Sequence, residues 1–400
     1  MNIGLFHGGN QDCGIIPYLY PLIKSKLIRD LDGNTLEMMV RMPAPKNVLM
    51  ELDGHNFFMC CDYKYIEDCD IKIYATDIRF LNHETIPSLN SKIDYFLINN
   101  CNGEYFGRTD IIASLLENEK VIIVLGHLLP YDFPSHPRLI LDPSIDLFLF
   151  YYRFGYYWLN YYKNTDKKYL IGTYNWQGNQ YKTWRSRFLD NAQDILGDNL
   201  KIFLPSDIST ANVANRLLVL DSWQTMHITS YTDFNSTVAN IMFETQGAGE
   251  DSEQQGQMIL TEKTLKSILF QKAGIFFIYW GNWNQLKWLH EKGFWFLNSE
   301  FHGEEHLNDL QKYNSINLDF NLSSARKEIK MLFVSVFKTL EYVKDLENTM
   351  NSKQEVYEYL FDKYKENLDQ TSSVIDSMLS TCEWKDRLFN LLGITVQEEK

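Results

Sequence analysis

The stretch from Ala239 to Leu297 constrains the fold more than any other. It runs Ala239-Asn-Ile-Met-Phe-Glu244, a polar loop, Thr261-Glu-Lys-Thr264 opening a helix, then a strand, a helix and a strand. Leu265, Ile268 and Leu269 follow the i, i+3, i+4 rule, so this helix packs one face and leaves its first turn open. Ala273-Gly274 ends it, and Ile275–Tyr279 is a short apolar run typical of a strand buried on both faces. Leu286 and Leu289 mark a second helix, closed at Gly293, before a strand at Phe294–Leu297. Such alternation builds a parallel sheet flanked by helices, with the charged helix start at the rim where α/β folds bind ligands.

That helix start carries chemistry. Thr261 is a capping residue type, and Glu262, Lys263 and Thr264 follow it at once. A helix N-terminus offers N–H groups and partial positive charge to an anion. A diphosphate bearing a ribose needs a cation and hydroxyl donors for its phosphates, plus a carboxylate for the sugar diol. Glu244, Thr261, Glu262, Lys263 and Thr264 supply that set. The string alone also occurs at ordinary helix starts, so the expectation rests on its setting.

Four hundred residues exceed one typical core. The first half alternates strands at Asn2–Phe6, Asp70–Tyr74, Tyr95–Asn99 and Val121–Leu125 with helices from about Pro17 and over Asp110–Glu117. His7-Gly-Gly-Asn-Gln-Asp-Cys-Gly14 is a loop of small residues, and His127–Pro137, with three prolines, is another. Polar Asn164–Lys168 marks a boundary. Beyond it come strands at Tyr169–Tyr174, Leu200–Leu204 and His227–Ser230, a helix around Trp184–Leu196, and a glycine-bearing loop at Gln246–Gln257. After Ser323 the pattern is helical: Ile329, Leu332, Phe333, Val336, Phe337 and Leu340 share one face, and Ser352-Lys-Gln-Glu355 is a capping box. Val374–Leu392 reads as one or two more helices. The expected class is α/β, with domains at 1–165 and 166–320 and a helical extension at 321–400.

Composition excludes several classes. Apolar residues make up 45% of the chain, which describes a globular protein. No apolar run is long enough to cross a bilayer, since Asp146, Arg153 and Asn160 interrupt the nearest candidate, Ile145–Tyr162. The N-terminus lacks a basic region followed by a long apolar one, so no signal peptide or membrane partner is expected. The six cysteines form no metal-type pairs and read as reduced, buried thiols, so the expected compartment is the cytoplasm. Net charge is −14, and residues 1–166 carry 14 Lys/Arg against 21 Asp/Glu, a balance of −7. Non-specific adhesion to duplex DNA is therefore not expected, although a local basic groove is compatible with these totals.

These residues resemble a family of GT-B-type glycosyltransferases carried by tailed phages and large DNA viruses. The resemblance lies in Asn240-Ile-Met-Phe-Glu-Thr245, Thr261-Glu-Lys-Thr264, Ala273–Tyr279, Leu286–Phe294 and Glu300–Glu305. Upstream, Tyr181-Lys-Thr-Trp-Arg-Ser-Arg-Phe188 is similar to that family's arginine-bearing helix, and Thr-Glu-Lys is similar to the donor motif of fucosyltransferases. The resemblance covers residues 165–310; residues 1–160 match in architecture alone. It implies two Rossmann-like domains facing a cleft, with a nucleotide sugar held by the second. UDP is favoured over GDP, and the fucosyltransferase likeness keeps GDP open. Where the family carries an Asp-Glu-Ser-Tyr-Asp type of segment, this chain has His302-Gly-Glu-Glu-His306. The two histidines are four apart, but the zinc-protease order needs Glu directly after the first, and no metal site is expected.

Sugar transfer makes charge grow on a leaving diphosphate, which fixed cations and a helix N-terminus can stabilise without a metal cofactor. Lys263 and Arg187 are the expected cations, with Arg185 as the alternative inward arginine. An inverting transfer also needs a base for the acceptor hydroxyl. Asp12 leads and His7 follows, because the first strand's loop faces the cleft in such folds; Asp12 also suits a turn. His127 stands at a comparable strand end. Tyr157, in the aromatic run Phe148–Tyr162, is a candidate for stacking on a base or sugar, and interdomain core is the other reading. The expected acceptor is a hydroxylated pyrimidine in phage DNA, approached along Lys182, Arg185, Arg187 and Arg153. A glycan, lipopolysaccharide or protein hydroxyl, and a donor-binding protein without catalysis, are the alternatives.

Overall fold

The structure is a computed structural model. It describes residues 1–7, 48–52, 55–60, 67–78, 81, 85–99, 109–128, 133–142, 144–145, 147, 151, 165–174, 183–203, 235–244, 258–260, 262–313, 325–381 and 383–394. The chain forms two compact units, Met1–Arg153 with Met378–Lys400, and Phe154–Ser377. The C-terminal helical extension expected from the sequence is present; its residues up to Ser377 fall in the second unit and those from Met378 in the first.

Among the described residues, the first unit's main sheet has seven strands. They are β1 (Asn2–His7), β2 (Val48–Leu52), β3 (His55–Cys60), β4 (Ile71–Asp77), β5 (Tyr95–Asn99), β6 (Val121–Leu125) and β8 (Leu139–Leu141), with the short β7 (His127–Leu128) before β8. Helices α1 (Thr85–Leu89) and α2 (Thr109–Leu116) lie between strands. The order is β2-β3-β1-β4-β5-β6-β8, parallel except for the antiparallel pair β2–β3. Val121–Leu125 is buried at every position, as a strand covered on both faces requires. Phe96, Ile98, Ile112, Leu116 and Leu139 pack around it. Arg138 donates to the carbonyls of Leu116 (2.7 Å) and Val121 (3.0 Å), so a cation stands at the C-terminal end of α2.

Among the described residues, the second unit holds a four-stranded parallel sheet. Its elements are β9 (Tyr169–Tyr174), α3 (Thr183–Leu196), β10 (Leu200–Phe203), β11 (Thr237–Phe243), the short β12 (Met258–Ile259), α4 (Glu262–Gln271), β13 (Phe276–Trp280), α5 (Trp283–Glu291), α6 (Lys327–Thr349) and α7 (Lys353–Thr381). The sheet order is β10-β9-β11-β13. The chain leaves β9 for β10 on one side and later returns to β11 on the other. This reversal between β9 and β11 is the switch point at which open α/β sheets bind ligands beyond their carboxyl ends. Gly274 (φ 79°) and Gly293 (φ 92°) end α4 and α5 in the left-handed conformation that glycine tolerates.

An aromatic core joins this sheet to its helices. Phe188 of α3 lies 5.2 Å from Phe243, 5.2 Å from Trp280 and 5.1 Å from Phe337, measured between ring centroids. The face expected on α6 is buried throughout, from Ile329 to Leu340. Each such side chain contributes about 1.5–3 kcal/mol on full burial. One expectation fails here. Phe294–Leu297 is not a strand, and Leu297–Phe301 forms a 3-10 turn. Asn298 takes the place beside β13: its Oδ1 accepts from Tyr279 N (2.8 Å) and its Nδ2 donates to Tyr279 O (3.3 Å) and Ser335 Oγ (3.2 Å). The capping box is half formed. Ser352 Oγ accepts from Glu355 N (3.2 Å), but the Glu355 carboxylate accepts from Asn351 N (3.1 Å).

From Met378 the chain belongs to the first unit again, where α8 (Glu383–Leu392) packs on β8. Arg387 donates to the carbonyls of His136 (3.1 Å) and Pro137 (2.9 Å).

Candidate functional site

Glu244 follows directly on β11, at the carboxyl end of a switch-point strand. Its N–H donates to Trp280 O (3.0 Å), which extends the β11–β13 pairing by one residue. The residue is 0% exposed, and one carboxylate oxygen accepts from both the backbone N–H of Thr264 (3.1 Å) and the Thr264 hydroxyl. Thr264, itself 0% exposed, lies in the first turn of α4. A carboxylate at a helix N-terminus satisfies an amide that the helix leaves unpaired and is favoured by the helix dipole. The first turn expected to be open is therefore tied, at Thr264, to a carboxylate twenty residues earlier in the chain.

Gly281 completes the arrangement. A Cβ built there would stand 2.6 Å from the Tyr279 hydroxyl and 2.9 Å from Glu244 Cβ, so only glycine lets the chain pass between them. The Tyr279 hydroxyl in turn donates to Gln285 Oε1. Asn282 then caps α5, its Oδ1 accepting from Asn284 N (2.8 Å). Two helix starts thus adjoin the carboxyl ends of β11 and β13, with Glu244, Thr264, Tyr279, Asn282 and Gln285 buried between them.

The expected site residues fall as follows. Glu244, Lys263 and Thr264 come together, with Lys263 half-buried beside Thr264. Glu262 opens α4 with only its backbone described, and Thr261 lies outside the described residues. Arg187 is half-buried on α3, next to Phe188, and its carbonyl accepts from Asn191 Nδ2 (2.6 Å). Arg185 lies on the same helix with its backbone alone described. In the first unit, His7 ends β1 in register with Ala75 of β4, and His127 opens β7; the backbone alone is described for both. Asp12, Arg153, Tyr157 and Lys182 lie outside the described residues, as does the strand expected at His227–Ser230.

The histidines of the departing segment separate. His302 stacks on Trp283, the first residue of α5, at 5.0 Å and 16°, and lies edge-on to His290 at 5.8 Å. His290 Nε2 lies 3.0 Å from Ser299 Oγ. His306 instead adjoins Glu305 (3.8 Å) and Phe301. Spacing of four brings residues together on an α-helix, whereas this segment runs in 3-10 turns broken between Phe301 and Glu304. Burial and the neighbouring His290 push the His302 imidazole down to about 4, and burial lowers His290 as well. Among the described residues, no group of three His, Cys, Asp or Glu side chains is placed to hold a metal ion.

Sequence reasoning missed the Gly281 passage, the Tyr279–Gln285 pair and the Trp283–His302 stack. The available signal was Trp280-Gly-Asn-Trp283, a glycine and a capping asparagine between a strand and a helix. Comparison of the chain with known families, with curated proteins and with solved structures finds no match. Among the described residues, no helix is long and apolar enough to cross a membrane.

Proposed function

We propose that this chain is a nucleotide-sugar-dependent glycosyltransferase of the GT-B type. In this reading the second unit holds a nucleoside diphosphate sugar, UDP favoured over GDP, and the sugar passes to an acceptor hydroxyl. The observation that carries the reading is the meeting of Glu244, the first turn of α4 and Lys263 beside the reversal of strand order.

The chemistry follows from charge. The bond between the sugar's anomeric carbon and the diphosphate oxygen breaks, and its electron pair stays on the diphosphate. A bond from the acceptor oxygen to that carbon forms, and the acceptor's proton passes to a base, proposed as Asp12 or His7. Lys263 and an arginine of α3, Arg187 or Arg185, offset the growing negative charge, and no metal is assigned to that role.

The proposed acceptor is a hydroxylated pyrimidine in DNA, on the strength of the viral resemblance. Net charge of −14 favours a second reading, in which a glycan, lipopolysaccharide or protein hydroxyl accepts the sugar. The first test is thermal unfolding against a panel of nucleoside diphosphates, with and without EDTA. Ligand at 100 times Kd adds about 2.7 kcal/mol of apparent stability. Stabilisation by UDP or GDP that survives EDTA is expected; no stabilisation by any diphosphate overturns the reading. Labelled sugar is then offered to hydroxymethylcytosine DNA, unmodified DNA and a free glycan. Label on the glycan alone moves the acceptor to the second reading, and donor binding without transfer or hydrolysis leaves a binding protein.

A further inference from the structure

Glu244 has the residue type of a sugar-diol ligand, but its surroundings give it a different task. We propose that Glu244 is a positioning residue: its carboxylate fixes the first turn of α4, and so the reach of Lys263 toward a diphosphate, without touching the ligand. This rests on the diphosphate reading above.

The argument is one of access and occupancy. Glu244 is 0% exposed, and one of its carboxylate oxygens accepts from both the N–H and the hydroxyl of Thr264, which is equally buried. Its backbone is held by Trp280 O, and the Gly281 backbone closes on its Cβ so tightly that no side chain fits between. β11, α4 and the turn from β13 into α5 therefore meet at this carboxylate. Hydrogen bonds to a charged group are among the stronger ones in a protein, and here they set where α4 begins. Lys263 precedes Thr264 in the chain, so fixing the Thr264 N–H and hydroxyl fixes the backbone from which Lys263 extends. The same contact places negative charge on the helix's positive end. The diphosphate's charge then falls to Lys263, and Glu244 does not read the ribose.

The test is a cycle between Glu244 and the ribose hydroxyls on the full chain. UDP, 2′,3′-dideoxy-UDP and inorganic pyrophosphate are titrated by calorimetry into the wild type and Glu244→Gln. A positioning residue weakens all three by a similar factor, about ten- to a hundredfold for a charged hydrogen bond. The preference for UDP over its dideoxy analogue then stays within about twofold of the wild type, as expected of groups that do not interact. A direct contact instead collapses that preference and spares pyrophosphate, which overturns the proposal, as does unchanged binding of every ligand. Thr264→Val removes the hydroxyl while keeping the shape, and carries the same measurement if Glu244→Gln does not fold. It is expected to reproduce the uniform loss, and the double variant to bind no more weakly than the weaker single. Additive losses overturn the proposal. A folded wild type that binds none of the three ligands removes the diphosphate reading itself, and this inference with it.

Discussion

The starts of α4 and α5 adjoin the same sheet edge, yet they are capped in opposite ways. Asn282 caps α5 from the adjacent position, reaching the N–H of Asn284 two residues ahead. The cap of α4 comes from Glu244, on the far side of a loop and at the end of another strand. A local cap stabilises its own helix and little else. A distant, buried cap makes the helix start depend on the strand, so disturbing either end disturbs both. The contrast separates a helix start whose cap serves stability from one that the proposed chemistry uses.

The sharpest way to break that contrast is Glu244→Ala. It leaves the Thr264 N–H buried without this acceptor and its hydroxyl with the weaker acceptor Met242 Sδ (3.4 Å), at roughly 1–3 kcal/mol each, so a loss of up to about 4 kcal/mol is expected in chemical denaturation. A loss below about 1 kcal/mol would mean that α4 finds another cap. Lys263→Ala comes next and is read in sugar transfer. Sugar transfer is expected to drop at least about a hundredfold, the usual worth of a fixed electrostatic group, with the fold intact. Near-normal transfer by the folded variant would sink the donor site.

Acid tests the other start. An open imidazole titrates near 6.5, and His302 on Trp283 is held to about 4. Below pH 6.5 the unfolded chain takes up a proton that the folded chain refuses, so stability falls as pH drops toward 4 and levels off beneath it. The loss reaches roughly 3 kcal/mol at about 1.4 kcal/mol per pH unit. Denaturation of the wild type and His302→Phe between pH 7 and 4.5 isolates this part, since carboxylates such as Glu347 act in both proteins. Equal slopes would remove the histidine from the account. The smallest effect belongs to Asn282→Ala, at about 1 kcal/mol, with diphosphate binding unchanged. Weakened binding there would show that the two starts are not separate.

Much of the sheet was legible because its strands are local runs. Val121–Leu125 announces itself as a strand through five consecutive apolar residues, and the α6 face through its spacing. The β2–β3 hairpin went unread although Asp53-Gly54, a strong hairpin signal, separates its strands. Phe294–Leu297 has strand composition, but the edge it was to pair with is taken by a side chain, Asn298. The residue types at the candidate site were legible and their wiring was not. Nothing local to Glu244 indicates that its partner is Thr264, because that contact exists only after the sheet and α4 have come together.

The division of the chain has a consequence for synthesis. Everything the second unit needs, from Phe154 to Ser377, emerges from the ribosome as one continuous piece. The first unit begins earlier but ends later, because its α8 is encoded beyond Met378. Domains generally fold as units while the chain is being made, at about 5–20 residues per second. The segment made first is therefore the last to be completed. Until α8 arrives, β8 lacks the helix that packs on it, and the carbonyls of His136 and Pro137 lack Arg387.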